Sequence, residues 1–148
     1  SAVLVSSFEA ELARNVAIAF FVPGLVYIAD AIGTQSEAVA VRGLSLSHAD
    51  LHHLVVGESR TGIIIGMILG LLTFPFVWVF FADINLAIAV SLSLVIASSI
   101  ASTIGMLLPW LLQRLGTDPA YGSGPLATII QDLLSLIVYF LVVNVLIF

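Results

Sequence analysis

Residues 121–148 form a long apolar segment that carries a single charge, Asp132. A carboxylate near the centre of a bilayer costs about 2.5–3.5 kcal/mol on insertion scales, so it normally faces a pathway or a partner. Apart from Arg14 at the polar edge of the first run, no arginine or histidine stands in an apolar run to pair with it. Thr128, Asp132, Ser135 and Tyr139 follow one another at intervals of four, three and four. That spacing sets all four on one face of a helix, a polar stripe on an otherwise apolar element. The chemistry it offers is a carboxylate that meets a passing cation, with hydroxyl oxygens beside it. The alternative is a protonated aspartate hydrogen-bonded to a neighbouring helix.

A second oxygen-rich group is Asp30-Ala-Ile-Gly-Thr-Gln-Ser-Glu37. Asp30, Thr34 and Gln35 carry the ligand atoms that hard cations prefer. Their spacing is not that of a standard calcium loop, and a helix-to-helix turn capped by Thr34 or Ser36 accounts for it equally. Asp118-Pro119 reads as a helix start, with aspartate as cap and proline in the first turn, and as a further candidate on the ion path. His48 and His52 lie one helical turn apart and could hold a soft divalent ion. Ser47 and Asp50 in the same stretch resemble a capping box. No nucleophile–base pair or phosphate-cradling glycine loop is evident, so an enzyme is not expected.

The elements that must position these residues are membrane helices. Of 148 residues, 61% are hydrophobic and 9% charged, far too little charge to keep a domain of this size in water. The net charge of −5 argues against nucleic acid and gives polar edges suited to cations. With no cysteine, disulfides and thiolate metal sites are excluded. A basic signal-peptide start is not seen. Apolar runs of roughly 20 residues mark the spans. The first covers 12–32, with Pro23-Gly24 predicted to kink or break it. A polar stretch at 33–60 follows, then spans at 61–82 and 84–112, separated by a tight turn at Asp83 and Asn85. Gln113 to Asp118 is a second polar connection, with Gly122 and Gly124 leading into the last span at 121–148. Arg42, Arg60 and Arg114 fall on one side of an alternating bundle, which is the cytoplasmic side by the positive-inside rule; Arg14, on the other side, is the exception and is offset by Glu9 and Glu11. Gly62, Gly66 and Gly70 form a smooth strip, matched by Ser91, Ser98, Ser102 and Gly105 on the next helix, as close helix packing in lipid requires. The expected fold is an all-α polytopic transmembrane bundle, one domain over 1–148, with four full or partly broken spans and a short stub at 1–8.

Three motifs resemble the membrane domain of the MgtE family of magnesium transporters and channels. They are Phe20-Phe-Val-Pro-Gly24 with Gly33-Thr-Gln-Ser36 and Val41-Arg-Gly-Leu44; then Gly105-Met-Leu-Leu-Pro-Trp110 with Arg114-Leu-Gly116; then Asp118-Pro-Ala120, Ser123-Gly-Pro125 and Thr128-Ile-Ile-Gln-Asp132, closed by Tyr139-Phe140. The resemblance implies a multi-pass protein of the cell membrane and a homodimer with the pore on its two-fold axis. It implies that Asp132 is the central pore aspartate, holding a largely hydrated magnesium ion, with Thr128 in the same pore region. Magnesium gives up water reluctantly and is often held through one or two carboxylates, which suits such a site. Where the family commonly has Gly-Gly-Asn ahead of its Gly-x-Gln motif, this chain reads Ala29-Asp30-Ala31. Asp30 adds negative charge there and leaves manganese or cobalt open beside magnesium. The family's membrane domain has five helices, of which the stub resembles the tail of the first. Its cytoplasmic magnesium-sensing domains have no counterpart in this sequence. The expected activity is movement of magnesium down its electrochemical gradient. The alternatives are a proton- or ion-coupled carrier of another divalent ion, and a non-conducting assembly subunit.

Overall fold

The computed structural model describes residues 16–46, 51–120 and 123–147, together with Val3, Ser6 and Glu9. Four long helices account for nearly all of them: α1 (Val16–Leu46), α2 (Leu51–Phe81), α3 (Ile84–Arg114) and α4 (Ser123–Ile147). Each is long and apolar enough to cross a membrane. A helix of 31 residues is about 46 Å long, so α1, α2 and α3 reach well beyond a hydrocarbon core of about 30 Å. The bundle is therefore all-α, as expected from the sequence. The outward faces, including Leu71, Val79 and Phe80, are apolar and exposed, which is the surface that lipid covers.

α3 is the central element and packs against all three others, whereas α1 and α2 barely meet. The α2–α3 seam follows the glycine and serine strips. A Cβ on Gly62 would lie 2.7 Å from Ser102 Cβ, and one on Gly66 2.7 Å from Val95 Cα. Neither position has room for a side chain. Ser91 Oγ donates to the Gly70 carbonyl at 3.0 Å, and Ser102 Oγ donates to the Glu58 carbonyl. Gly105 is a close packing point too, but on another helix. It abuts Gly33 and Glu37 of α1 rather than α2.

The tight turn between the second and third spans is present. Ala82 adopts a φ of 52°, and Asp83 caps α3 by accepting from Leu86 N at 3.0 Å. At the far end of α3, Gly116 takes a φ of 76°. Gly116 N donates to Gln113 O and Thr117 N to Leu112 O, the paired bonds of a Schellman stop. The Arg114 guanidinium lies 4.6 Å over the Trp110 ring, a pairing suited to the membrane–water boundary.

Of the kink or break expected at Pro23-Gly24, the break does not occur: α1 runs unbroken through Pro23 and on to Leu46. Pro23 and Gly24 both lie on the exposed side, so the ring displaces no neighbouring helix. The polar stretch after Gly33 is not a connection either, since its first half extends α1. Ile18, Leu25, Ala29, Ile32, Ser36 and Ala40 are buried at helical intervals, and this inner face carries the helix on past Gly33. Asp30, Thr34 and Gln35 are therefore mid-helix, with their carbonyls on the α-helical ladder rather than loose. The second span likewise begins earlier than expected, at Leu51. Ser47, His48, Asp50, Glu11, Arg14, Tyr121 and Gly122 lie outside the described residues, and with them the suggested histidine pair and capping box.

Candidate ion pathway

The polar residues of α1 and α4 meet along the seam between these two helices, which run antiparallel. At one end Tyr139, fully buried, donates its hydroxyl proton to the Ile18 carbonyl at 2.8 Å. At the other, the Gln131 side chain lies directly on Gly33, leaving no space for a Cβ there. Between these contacts the helices part and leave an open cleft of about 440 Å³. Asp30, Tyr27 and Pro23 line it from α1, and Thr128, Asp132 and Leu136 from α4. Asp132 is about 14 Å along α4 from Ser123, at 1.5 Å per residue, which puts it well inside the span.

This cleft brings together three of the residues that the sequence singled out: Asp132, Asp30 and Thr128. One oxygen of Asp30, Oδ1, is buried without a hydrogen-bond partner. Two carboxylates in one cleft repel each other when both are ionised, and a divalent cation relieves that repulsion. Size supports a hydrated guest. Six waters at roughly 30 Å³ each occupy about 180 Å³, which fits the cleft with room to pass. Among the described residues no group of three or more His, Cys, Asp or Glu converges as a metal site. The donor set is thus two carboxylates with the hydroxyls of Thr128 and Tyr27, which suits a hard ion that keeps most of its water and not a stripped ion in a closed cage.

The other candidates lie elsewhere. Ser135 is buried and turns its hydroxyl back to the Asp132 carbonyl at 3.0 Å. Tyr139 is held by Ile18, so the second half of the polar stripe is packed between helices and does not line the cleft. Thr34 faces a second cleft, of about 620 Å³, at the arginine-bearing end of the bundle. Gln35 is exposed and lines neither cleft. Asp118 does not cap α4, which begins five residues later. It accepts from Ala120 N at 2.9 Å in the α3–α4 connection, and Ala120 forms part of the second cleft's wall. His52 and His53 are exposed near the start of α2.

Two polar residues that stand inside the quoted motifs without being candidate ligands there, Gln131 and Glu37, stand out in the structure. Gln131 is 2% exposed, and neither of its amide atoms has a hydrogen-bond partner. Glu37 is 7% exposed and lines the second cleft. Continuing α1 beyond Gly33 would have revealed Glu37, because it falls on the same helical face as Asp30 and Thr34.

The comparisons with known proteins concern this same stretch. A family described as "MgtE: Divalent cation transporter" matches residues 22–142, a range that contains every one of these positions. The magnesium transporter MgtE of Bacillus subtilis is 36% identical over 140 residues, covering 93% of this chain and 31% of that protein. Its counterpart in Enterococcus faecalis is 33% identical over 143 residues, covering 95% and 32%. The Thermus thermophilus protein of the same name is 32% identical over 146 residues, covering 97% and 32%. The chain spans about a third of the length of these curated relatives.

Proposed function

The chain belongs to the MgtE family of divalent cation transporters, and we propose that it is the ion-conducting membrane domain of a magnesium channel. The observation that carries this reading is the meeting of Asp132, Asp30 and Thr128 in one cleft at membrane depth. Asp132 is the central carboxylate, with Asp30 opposite it on α1 and the Thr128 hydroxyl one turn away on α4. A hydrated magnesium ion is held there through its own waters, strongly enough to enter and loosely enough to leave. The names of the relatives favour magnesium as the ion. The donor set agrees, since neither thiolate nor imidazole lines the cleft to prefer a softer metal.

The membrane potential drives the ion inward with about 2.3 kcal/mol per charge per 100 mV, doubled for a divalent cation. In a single bundle the cleft lies open at the α1–α4 surface, and a carboxylate facing hydrocarbon there is costly. A second copy laid against this surface encloses the two clefts as one water-filled path. We therefore read the working unit as a homodimer, as the resemblance implies, with two Asp132 side chains near the axis.

The test is ion flux in liposomes, measured with magnesium, manganese, calcium and cobalt in parallel for the native chain and for Asp132→Ala. Magnesium flux that vanishes in the variant, with the protein still monodisperse in detergent, is the expected result. Undiminished flux in Asp132→Ala overturns the pore assignment.

A further inference from the structure

We propose that Glu37, together with Thr34, forms a second divalent-cation station at the arginine-bearing end of the α1–α4 groove. The proposal rests on the reading of that groove as an ion path.

Asp30, Thr34 and Glu37 recur at intervals of four and three on α1, which aligns them on one face. Gly124, Thr128 and Asp132 recur at intervals of four on α4 and form the facing wall. The two clefts are therefore consecutive. Asp30 and Asp132 line the first, and Thr34, Glu37 and Gly124 line the next. Seven residues separate Asp30 from Glu37, an axial step of about 10 Å. That step leaves room for two hydrated ions in sequence, the arrangement in which one ion's arrival helps the other to leave.

Glu37 itself points to a ligand. It is 7% exposed, and among the described residues its carboxylate has neither a hydrogen-bond nor an ion-pair partner. A largely enclosed side chain whose carboxylate opens onto a cleft without a protein partner is one that a hydrated cation in that cleft can balance. Arg42 lines the same cleft and is exposed at its rim. Ser36, the neighbour that could have supplied a donor, instead gives its hydroxyl proton to Glu58 of α2 at 2.9 Å. The cleft at about 620 Å³ is larger than the first and holds a hydrated ion by the same reckoning. A carboxylate acting through the ion's waters fits that size.

Manganese(II), read by electron paramagnetic resonance, is the probe. The whole chain is titrated as native protein, as Asp132→Asn, as Glu37→Gln and as the double variant. Asp132→Asn is expected to retain a class of bound manganese that the double variant loses, its affinity falling about tenfold or more. Glu37→Asp in the Asp132→Asn background is expected to keep that class, which separates loss of the charge from loss of the fold. Equal manganese binding by Asp132→Asn and the double variant overturns the proposal, as does equal loss in Glu37→Asp and Glu37→Gln. Because these comparisons are made without Asp132, they stand apart from the central assignment, which fails only if Asp132→Ala still conducts.

Discussion

Tyr139 on α4 and Ile18 on α1 are far apart in sequence yet joined by a 2.8 Å hydrogen bond from the phenol to the backbone carbonyl, with the tyrosine fully buried. The bond pins the two helices together at one end of the seam that opens into the Asp30–Asp132 cleft. Tyr139→Phe removes the donor while keeping the ring. Hydrogen bonds between membrane helices average about 0.6 kcal/mol, so a loss of roughly 0.5–1.5 kcal/mol in unfolding by denaturing detergent is expected. Magnesium flux is expected to stay within about twofold of native, in keeping with a structural contribution of that size. Abolished flux with unchanged stability would instead assign the phenol to the ion path.

Asp30 and Asp132 stand on different helices and share one cleft. If both carboxylates attract the ion, neutralising either weakens it, but to different degrees. Asp30→Asn is expected to raise the half-saturating magnesium concentration about tenfold while leaving residual flux, by loss of one of two carboxylates. Asp132→Asn is expected to leave almost none. Radioisotope or fluorescent-indicator uptake into liposomes across a magnesium series separates the two. Identical behaviour of Asp30→Asn and the native chain would remove Asp30 from the path.

Much of this arrangement was legible in the sequence. The spans, the Asp83 cap and the glycine strip each rest on local patterns, and local patterns are what a helix obeys. The cleft's three residues were also visible, since an aspartate inside an apolar run has few reasons to be there. Two features were not. Pro23 predicted a kink or break because it removes a backbone donor, whereas what keeps the helix unbroken is the long inner face from Ile18 to Ala40, which depends on where α3 lies. The stripe from Thr128 to Tyr139 is a single face by angle, but its two halves meet different surroundings. Thr128 and Asp132 face the open cleft, and Ser135 and Tyr139 face packed backbone. The spacing between two helices varies along their length, and no periodicity in one chain segment encodes it.

The glycines of α2 make contrasting predictions. Gly66 packs against α3 so closely that an added Cβ would lie 2.7 Å from Val95 Cα, whereas Gly57 has nothing within 4 Å. Gly66→Ala must push two backbones apart, and overpacking of this kind costs about 1–3 kcal/mol. Gly57→Ala gains helix propensity instead, worth about 0.5–1 kcal/mol. Thermal unfolding in detergent should therefore move down for the first and up or not at all for the second. Equal shifts would mean that the α2–α3 seam can open at Gly66 without cost.

Gly33 is enclosed from two sides, by the Gln131 side chain of α4 and by Gly105 of α3, whose own Cβ would collide with the Gly33 carbonyl. Three helices thus converge on one glycine, three residues along α1 from Asp30. Gly105→Ala cannot be absorbed by a flexible side chain, because the obstructing atom is backbone. It must move α1 relative to α3, and α1 carries Asp30 with it. By the same overpacking argument the cost is about 1–3 kcal/mol, but the consequence for transport is the sharper test. Flux is expected to fall in Gly105→Ala at a temperature where the protein remains folded. Gln131→Leu, which removes a buried amide with no hydrogen-bond partner, is expected to stabilise the fold or leave it unchanged. Native flux in a folded Gly105→Ala protein would show that the separation of Asp30 from Asp132 does not depend on this node.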